Sequence, residues 1–117
     1  MKLGYSEEIT KDGTYRNVPY VVRKVSAPFI VDHKEYYCVY VESRKDFSEE
    51  EIEALPCSIT WNEPYKDTWL KSRLTGQKCL GWDYFEDKEI SLEEVLKKVR
   101  KVINYLARTY EEYGKGK

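Results

Sequence analysis

The sequence predicts an α+β fold in which an antiparallel sheet of about four or five strands packs against a long C-terminal helix. Residues 36–42 read YYCVYVE and are apolar on both faces, as is typical of a central strand. Two apolar runs with aromatic ends, 57–65 and 78–85, are separated by a polar segment containing Thr75 and Gly76, which indicates paired strands. Residues 92–110 repeat apolar side chains at helical spacing.

The N-terminal region reads as a weak edge hairpin over residues 1–17, followed by a strand. Asp12-Gly13 is a turn signal, so we expect the hairpin to reverse there. Residues 18–25 are rich in β-branched side chains, and Pro19 suits the start of a strand or an edge. A short apolar piece follows at 29–31, before a charged turn.

A short helix is expected over residues 48–55. Ser48 and Glu51 form a capping-box pattern at its start, and Pro56 ends it. Ile52 and Leu55 would hold this helix against the body of the protein.

The long helix begins at a second capping pattern, Ser91 with Glu94, and Gly114 is its natural stop, with 114–117 as a frayed tail. Its apolar stripe is Leu92, Val95, Leu96, Val99, Val102, Ile103, Leu106 and Tyr110. Its opposite face is Lys97, Lys98, Arg100, Lys101, Asn104 and Arg108. Such a basic face could meet phosphate or an acidic partner, although most faces of this kind are simply solvated.

Length and charge narrow the classes of function. A chain of 117 residues predicts one domain, 1–117. Because 20 basic residues balance 21 acidic ones, binding to nucleic acid is not expected to be the main task. The sequence has no apolar run of membrane-spanning length and no signal-peptide core near its start, so we expect a cytoplasmic protein with no membrane association.

The cysteines are expected to be reduced free thiols, with no metal and no cofactor. Cys38, Cys57 and Cys79 are odd in number and form no CxxC pair. Together with His33 they are of the residue types that bind zinc, but their spacing in the sequence is not that of a zinc ribbon or a zinc finger. A Cys–His nucleophile pair is the other chemical interpretation, whereas a lone histidine in a charged turn is more often a surface residue.

The candidate binding residues concentrate in the region that holds all three tryptophans: Thr60, Trp61, Glu63, Tyr65, Trp69, Trp82 and Asp83. The aromatic members could line a pocket for a base or ring, or could form a small core. Trp69 lies in the polar linker and is expected to be partly exposed. Asp83 could be a site carboxylate with Thr60 or Glu63, or could cap a loop. Gly81 indicates a bulge, the favoured interpretation, or a close approach.

Two short motifs in this region, Ile59-Thr60-Trp61 and Leu80-Gly81-Trp82-Asp83, are similar to motifs of a known protein family. Over residues 36–107 the chain resembles small, uncharacterised proteins of tailed bacteriophages and prophages, which have Gly-Gly-Ile-Thr-Tyr and Ile-Gly-Phe-Asp motifs. Here Cys57-Ser58 replace the paired glycines, and Tyr84-Phe85-Glu86 replace a Cys-Ala-His that often follows the second motif. The resemblance implies a mobile-element origin and carries no activity with it.

No motif specifies a reaction, so the sequence favours binding over catalysis. The first hypothesis is a phage or mobile-element accessory protein that binds and blocks a host protein, such as a component of a defence system. The second is a small-ligand or nucleotide-binding domain with an aromatic pocket, which could be hydrolytic. Direct nucleic-acid binding through the basic helix face is the least favoured, given the calculated pI of about 5.9.

Overall fold

The computed structural model describes residues 6–26, 35–66, 72–87 and 89–114. The strands in this part of the chain are β1 (Ser6–Tyr15), β2 (Val18–Ser26), β3 (Tyr36–Glu42), β4 (Trp61–Pro64) and β5 (Lys78–Asp83). The helices are α1 (Glu49–Glu53), α2 (Leu92–Thr109) and α3 (Glu111–Gly114). The five strands form one antiparallel sheet in the order β1-β2-β3-β5-β4, which confirms the predicted α+β class.

The strand β3 lies at the centre of the sheet, as its two-sided apolar pattern predicts. Val39 and Val41 face the main core, whereas Cys38 and Tyr40 belong to a second cluster on the opposite face. This second cluster also contains Tyr65 and Leu74 from the segment that connects β4 to β5. Both faces of the central strand are therefore covered, which explains why it lacks a polar side.

The helix α2 supplies the other half of the main core. Five of its residues have fully buried side chains: Val95, Val99, Val102, Ile103 and Leu106. They pack with Val22, Val39 and Leu80 from three strands. At its start, the Ser91 side chain accepts a hydrogen bond from the Glu94 N–H at 3.1 Å. The predicted apolar stripe is thus the face that holds α2 on the sheet.

The β1–β2 hairpin reverses at Arg16-Asn17 instead of Asp12-Gly13. Arg16 and Asn17 have φ values of 53° and 65°, as expected for a two-residue hairpin turn of the primed type. Gly13 lies within β1 opposite Tyr20, and a Cβ at Gly13 would lie 2.6 Å from the Tyr20 hydroxyl oxygen. The prediction of a turn at the Asp-Gly pair is therefore wrong, because this glycine makes room for a cross-strand ring.

The short helix α1 has the predicted capping box. The Ser48 hydroxyl accepts a hydrogen bond from the Glu51 N–H at 3.2 Å, and the Glu51 carboxylate accepts a hydrogen bond from the Ser48 N–H at 2.9 Å. Leu55 is buried and Ile52 packs at the edge of the same core. These contacts fix α1 beside the edge of the sheet formed by β4.

The C-terminal helix ends earlier than the stop at Gly114 predicts. α2 finishes at Thr109, Tyr110 is extended (φ −123°, ψ 133°), and α3 follows as a separate short helix. This break turns Tyr113 inward, where its hydroxyl donates to the Glu42 carbonyl and accepts from the Arg44 N–H, both at 2.9 Å. Tertiary hydrogen bonds at the end of β3 thus override the local helical pattern.

Gly81 reflects a close approach of side chains. The register of β5 against β3 and against β4 runs through Gly81 without a shift, so neither ladder has the favoured bulge at this residue. A Cβ at Gly81 would lie 2.8 Å from Cδ1 of Tyr40 and 3.0 Å from Cβ of Trp61. The absence of a side chain lets two aromatic residues pack across the middle of β5.

Several predictions fall outside the described residues: the apolar piece 29–31, His33, Trp69 and the tail 115–117. Within the described part of the chain, no helix combines the length and the apolar character needed to cross a bilayer.

Candidate functional site

The register between β4 and β5 separates the predicted aromatic residues. Trp61 pairs with Gly81, so Trp61 and Gly81 share one face of the sheet and Trp82 points to the other face. Trp82 accordingly joins the main core under α2, whereas Trp61 packs at the border of the second cluster. These two tryptophans therefore cannot line one pocket.

Trp82 and Tyr65 are core residues. Trp82 is 4% exposed, and its indole Nε1 donates to the Tyr84 hydroxyl at 3.0 Å. Tyr65 is 1% exposed, and its ring meets the Tyr40 ring edge-on with centroids 5.2 Å apart. The polar tips and rings of both residues are thus engaged inside the protein, with little surface left for a ligand.

The predicted polar residues are divided between the two ends of the β4–β5 ladder. Asp83 is exposed at the end of β5, and its Oδ1 accepts from the Phe85 N–H at 3.0 Å, the geometry of a loop-capping aspartate. Thr60 lies at the same end, where its N–H donates to the Gly81 carbonyl. Glu63 pairs with Cys79, four positions from Asp83 and therefore about 13 Å away along the ladder. Asp83 and Glu63 are too far apart to act as a pair.

Of the predicted aromatic residues that the structure describes, Trp61 is the one that is only partly buried. Its Nε1 donates to the Glu63 carbonyl at 2.9 Å, and the Lys66 ammonium lies 5.5 Å from the ring centroid. These contacts hold the indole in place on the outermost strand of the sheet. A fixed, half-exposed tryptophan is a common anchor for binding, since little conformational entropy is lost on contact.

Beside this strand lies a groove of about 500 Å³, the α1–β4 groove. Its lining residues are Phe47, Glu49, Ile52, Glu53, Ile59, Thr60, Trp61 and Asn62. The apolar members form its floor, and the exposed Glu49 and Glu53 give it an acidic rim. The sequence indicates Ile52 only as an anchor for α1; the acidic run 49–53 beside apolar residues is the signal that could have revealed this groove.

The α1–β4 groove also holds an unused hydrogen-bond acceptor. The Asn62 Nδ2 donates weakly to the Phe47 carbonyl at 3.4 Å. The Asn62 Oδ1 is buried and has no hydrogen-bond partner among the described residues. An unsatisfied buried polar atom is unfavourable, and because this oxygen is closed off from the surface, a bound partner would reach it only after a movement of the Asn62 side chain.

The cysteines do not form a reactive or metal-binding group within the described residues. Cys38 and Cys79 lie at opposite ends of the second cluster, and Cys57 lies on the other side of the sheet. Burial raises the pKa of the Cys38 and Cys79 thiols to about 12 and that of Cys57 to about 11. All three are free thiols, and these pKa values make a nucleophilic thiolate unfavourable near neutral pH.

A second depression, of about 790 Å³, lies along the outward side of α2. Its lining includes Lys97, Lys98, Arg100, Lys101 and Arg108, which we call the basic face. From the sequence this face is expected to be mainly a solvated surface. The structure shows that it borders a depression with half-buried tyrosine rings.

The chain matches no protein-family model and no curated protein, and its fold matches no solved structure at a significant level. The resemblance to phage proteins at residues 59–61 and 80–83 therefore stays a prediction, and the functional conclusion depends on the geometry of the α1–β4 groove.

Proposed function

We propose that this protein acts by binding a partner protein, and that the α1–β4 groove is its contact surface. The observation that carries this proposal is the position of Trp61, which is fixed, partly exposed and adjacent to an apolar groove on the outermost strand. If the chain has the mobile-element origin that the resemblance implies, the partner is a host protein whose activity the complex blocks.

The chemistry of the groove indicates the kind of partner segment. Its floor of Phe47, Ile52 and Ile59 would receive apolar side chains, and Glu49 and Glu53 on the rim would attract lysine or arginine. The free side of β4 offers few backbone donors: Tyr65 directs its N–H to β5, so Asn62 and Pro64 face outward, and proline has no N–H. The segment would therefore bind mainly through side chains.

The alternative of a nucleotide pocket built on the aromatic residues receives less support. It requires Trp61 and Trp82 on one side of the sheet, but the observed register places them on opposite faces. The proposed Asp83 and Glu63 carboxylates also lie at opposite ends of the ladder.

Selection of a random peptide library on the immobilised protein would test the groove. We expect enriched peptides that combine basic and apolar residues, and Trp61→Ala should weaken them by about thirtyfold, as for a typical tryptophan anchor. The double variant Glu49→Lys/Glu53→Lys should weaken them by roughly tenfold. Glu86→Lys/Glu93→Lys, a charge-matched change at exposed residues outside the groove, should leave binding unchanged.

Circular dichroism of each variant would confirm that the fold is intact. Enriched peptides that bind the Trp61→Ala variant as tightly as the wild type would place the contact surface elsewhere. The assignment of the acidic groove would be contradicted if no enriched peptide lost affinity in the Glu49→Lys/Glu53→Lys variant.

A further inference from the structure

The basic face of α2 concentrates positive charge in a chain whose net charge is −1. Five cationic residues line the depression on this side, against two carboxylates, Asp87 and Glu94. Arg16 adds a sixth cation at the border, where its Nη1 donates to Oδ1 of the lining residue Asn104 at 2.8 Å. The depression is therefore a local site of positive potential rather than one part of a generally basic surface.

Most of these cations are not neutralised by carboxylates in residues 6–26, 35–66, 72–87 and 89–114. The Lys98 ammonium donates to the Pro56 carbonyl at 3.0 Å, and the Lys97 ammonium lies 3.7 Å from the Glu94 carboxylate. Arg100, Lys101 and Arg108 have no carboxylate within ion-pair distance in the part of the chain that the structure describes. Three charges thus remain available to an external anion.

Tyrosine rings provide fixed apolar contacts beside these charges. Tyr15, Tyr84 and Tyr105 are half buried at the border of the main core and line the depression. The Tyr15 hydroxyl donates to Asn104 Oδ1 at 3.2 Å, and the Tyr84 hydroxyl accepts from the indole of Trp82. Such rings can pack against aliphatic or aromatic side chains at little entropic cost.

The length of the face sets the size of its ligand. Lys97 and Arg108 are eleven residues apart on α2, which corresponds to about 16 Å at 1.5 Å per residue. An extended polypeptide advances about 3.3 Å per residue, so roughly five residues would span this distance.

We propose that the basic face of α2 binds an acidic segment of a polypeptide. Asp87 and Glu94 lie in the same depression and would repel an unbroken phosphate backbone, whereas a polypeptide can place a neutral or basic residue beside them. This binding site is separate from the α1–β4 groove, because the two share no lining residue. The proposal therefore does not depend on the function assigned to that groove.

Fluorescence anisotropy with defined probes would test this site. The probe is a labelled ten-residue peptide that alternates glutamate with tyrosine, and the comparison is a ten-nucleotide oligothymidine. We expect the peptide to bind and its affinity to fall with added salt. Lys101→Glu/Arg108→Glu should weaken it by about thirtyfold, the equivalent of roughly 1 kcal/mol for each reversed charge.

The matched control is Lys11→Glu/Arg73→Glu, which changes the net charge equally at one exposed lysine and one exposed arginine outside both depressions. It should reduce peptide affinity less than about threefold, since distant exposed charges are screened. Lys101→Gln/Arg108→Gln should give an intermediate loss. Equal losses in both charge-reversal variants, tighter binding of the oligonucleotide, or no peptide binding at low salt would each overturn the proposal.

Discussion

Replacing Gly81 with alanine tests whether close side-chain packing explains this glycine. The added Cβ would lie 2.8 Å from Cδ1 of Tyr40 and 3.0 Å from Cβ of Trp61, closer than ordinary van der Waals contact. Forcing an extra carbon into a packed site typically costs about 1–3 kcal/mol. Alanine also loses less backbone entropy on folding than glycine, which returns about 0.4–1 kcal/mol. We therefore expect a net loss of about 1–2 kcal/mol in the free energy of unfolding.

Urea denaturation of Gly81→Ala, Tyr40→Val and the double variant would measure this loss and locate its cause. Because Tyr40→Val removes the nearest ring atoms but leaves the contact with Cβ of Trp61, the alanine should cost roughly 1 kcal/mol less in that background, a part of the steric term. Gly76→Ala is the matched control: Gly76 has φ +81°, and a Cβ added there would meet no heavy atom within 4 Å, so its cost comes from the backbone alone. That cost should not change with Tyr40. A Gly81→Ala variant as stable as the wild type, or one equally destabilised in both backgrounds, would refute the packing explanation.

Four further perturbations test the core, the thiols, the helix cap and the C-terminal contact. Val99→Asp would bury an unpaired charge on α2 and should unfold the protein, so a thermal melt like that of the wild type would show that this face is not core. Ellman's reagent at pH 8 should react slowly with the native protein and release three thiols per chain in denaturant; a stoichiometric zinc content would contradict this. The Lys45 ammonium holds the pKa of Glu51 below its usual value, so the ion pair stabilises the folded protein fully above the pKa of a free glutamate and loses this effect as the pH falls through the lower pKa of the folded state. Glu51→Gln should therefore flatten the acid limb of the plot of stability against pH. An unchanged acid limb would argue against the ion pair. Tyr113→Phe should lower stability by about 1–3 kcal/mol in urea denaturation, because the half-buried Arg44 N–H loses its acceptor; a loss under about 0.5 kcal/mol would mean that water replaces the hydroxyl.

The sequence predicted those elements whose signals are local. The two-sided apolar pattern of 36–42, the capping box of Ser48 with Glu51, and the apolar stripe of α2 each depend on neighbouring residues. Each of these features appears in the structure because the burial of β3, of α2 and of Leu55 beside α1 supports the local preference.

The features that the sequence missed depend on residues far apart in the chain. Gly13 reads as a turn residue as long as its cross-strand partner Tyr20 is unknown. The end of α2 is predicted too late, since the bonds from Tyr113 to the end of β3 cannot be read from local spacing. The division of the aromatic site has the same origin: a shift of one residue in the β4–β5 register would have placed Trp61 and Trp82 on one face.

Net charge gave an incomplete view of the surface for a related reason. A value of −1 excludes a generally basic protein, but it does not describe how charges are distributed once the chain has folded. The fold places the acidic rim of Glu49 and Glu53 in one depression and the cations of Lys101 and Arg108 in another, with no lining residue in common. Because the two depressions have different lining residues of opposite predominant charge, each should contact its ligand through its own charges. Charge reversal at one depression should therefore weaken its ligand while the other ligand remains bound, a separation that a single shared interface could not produce.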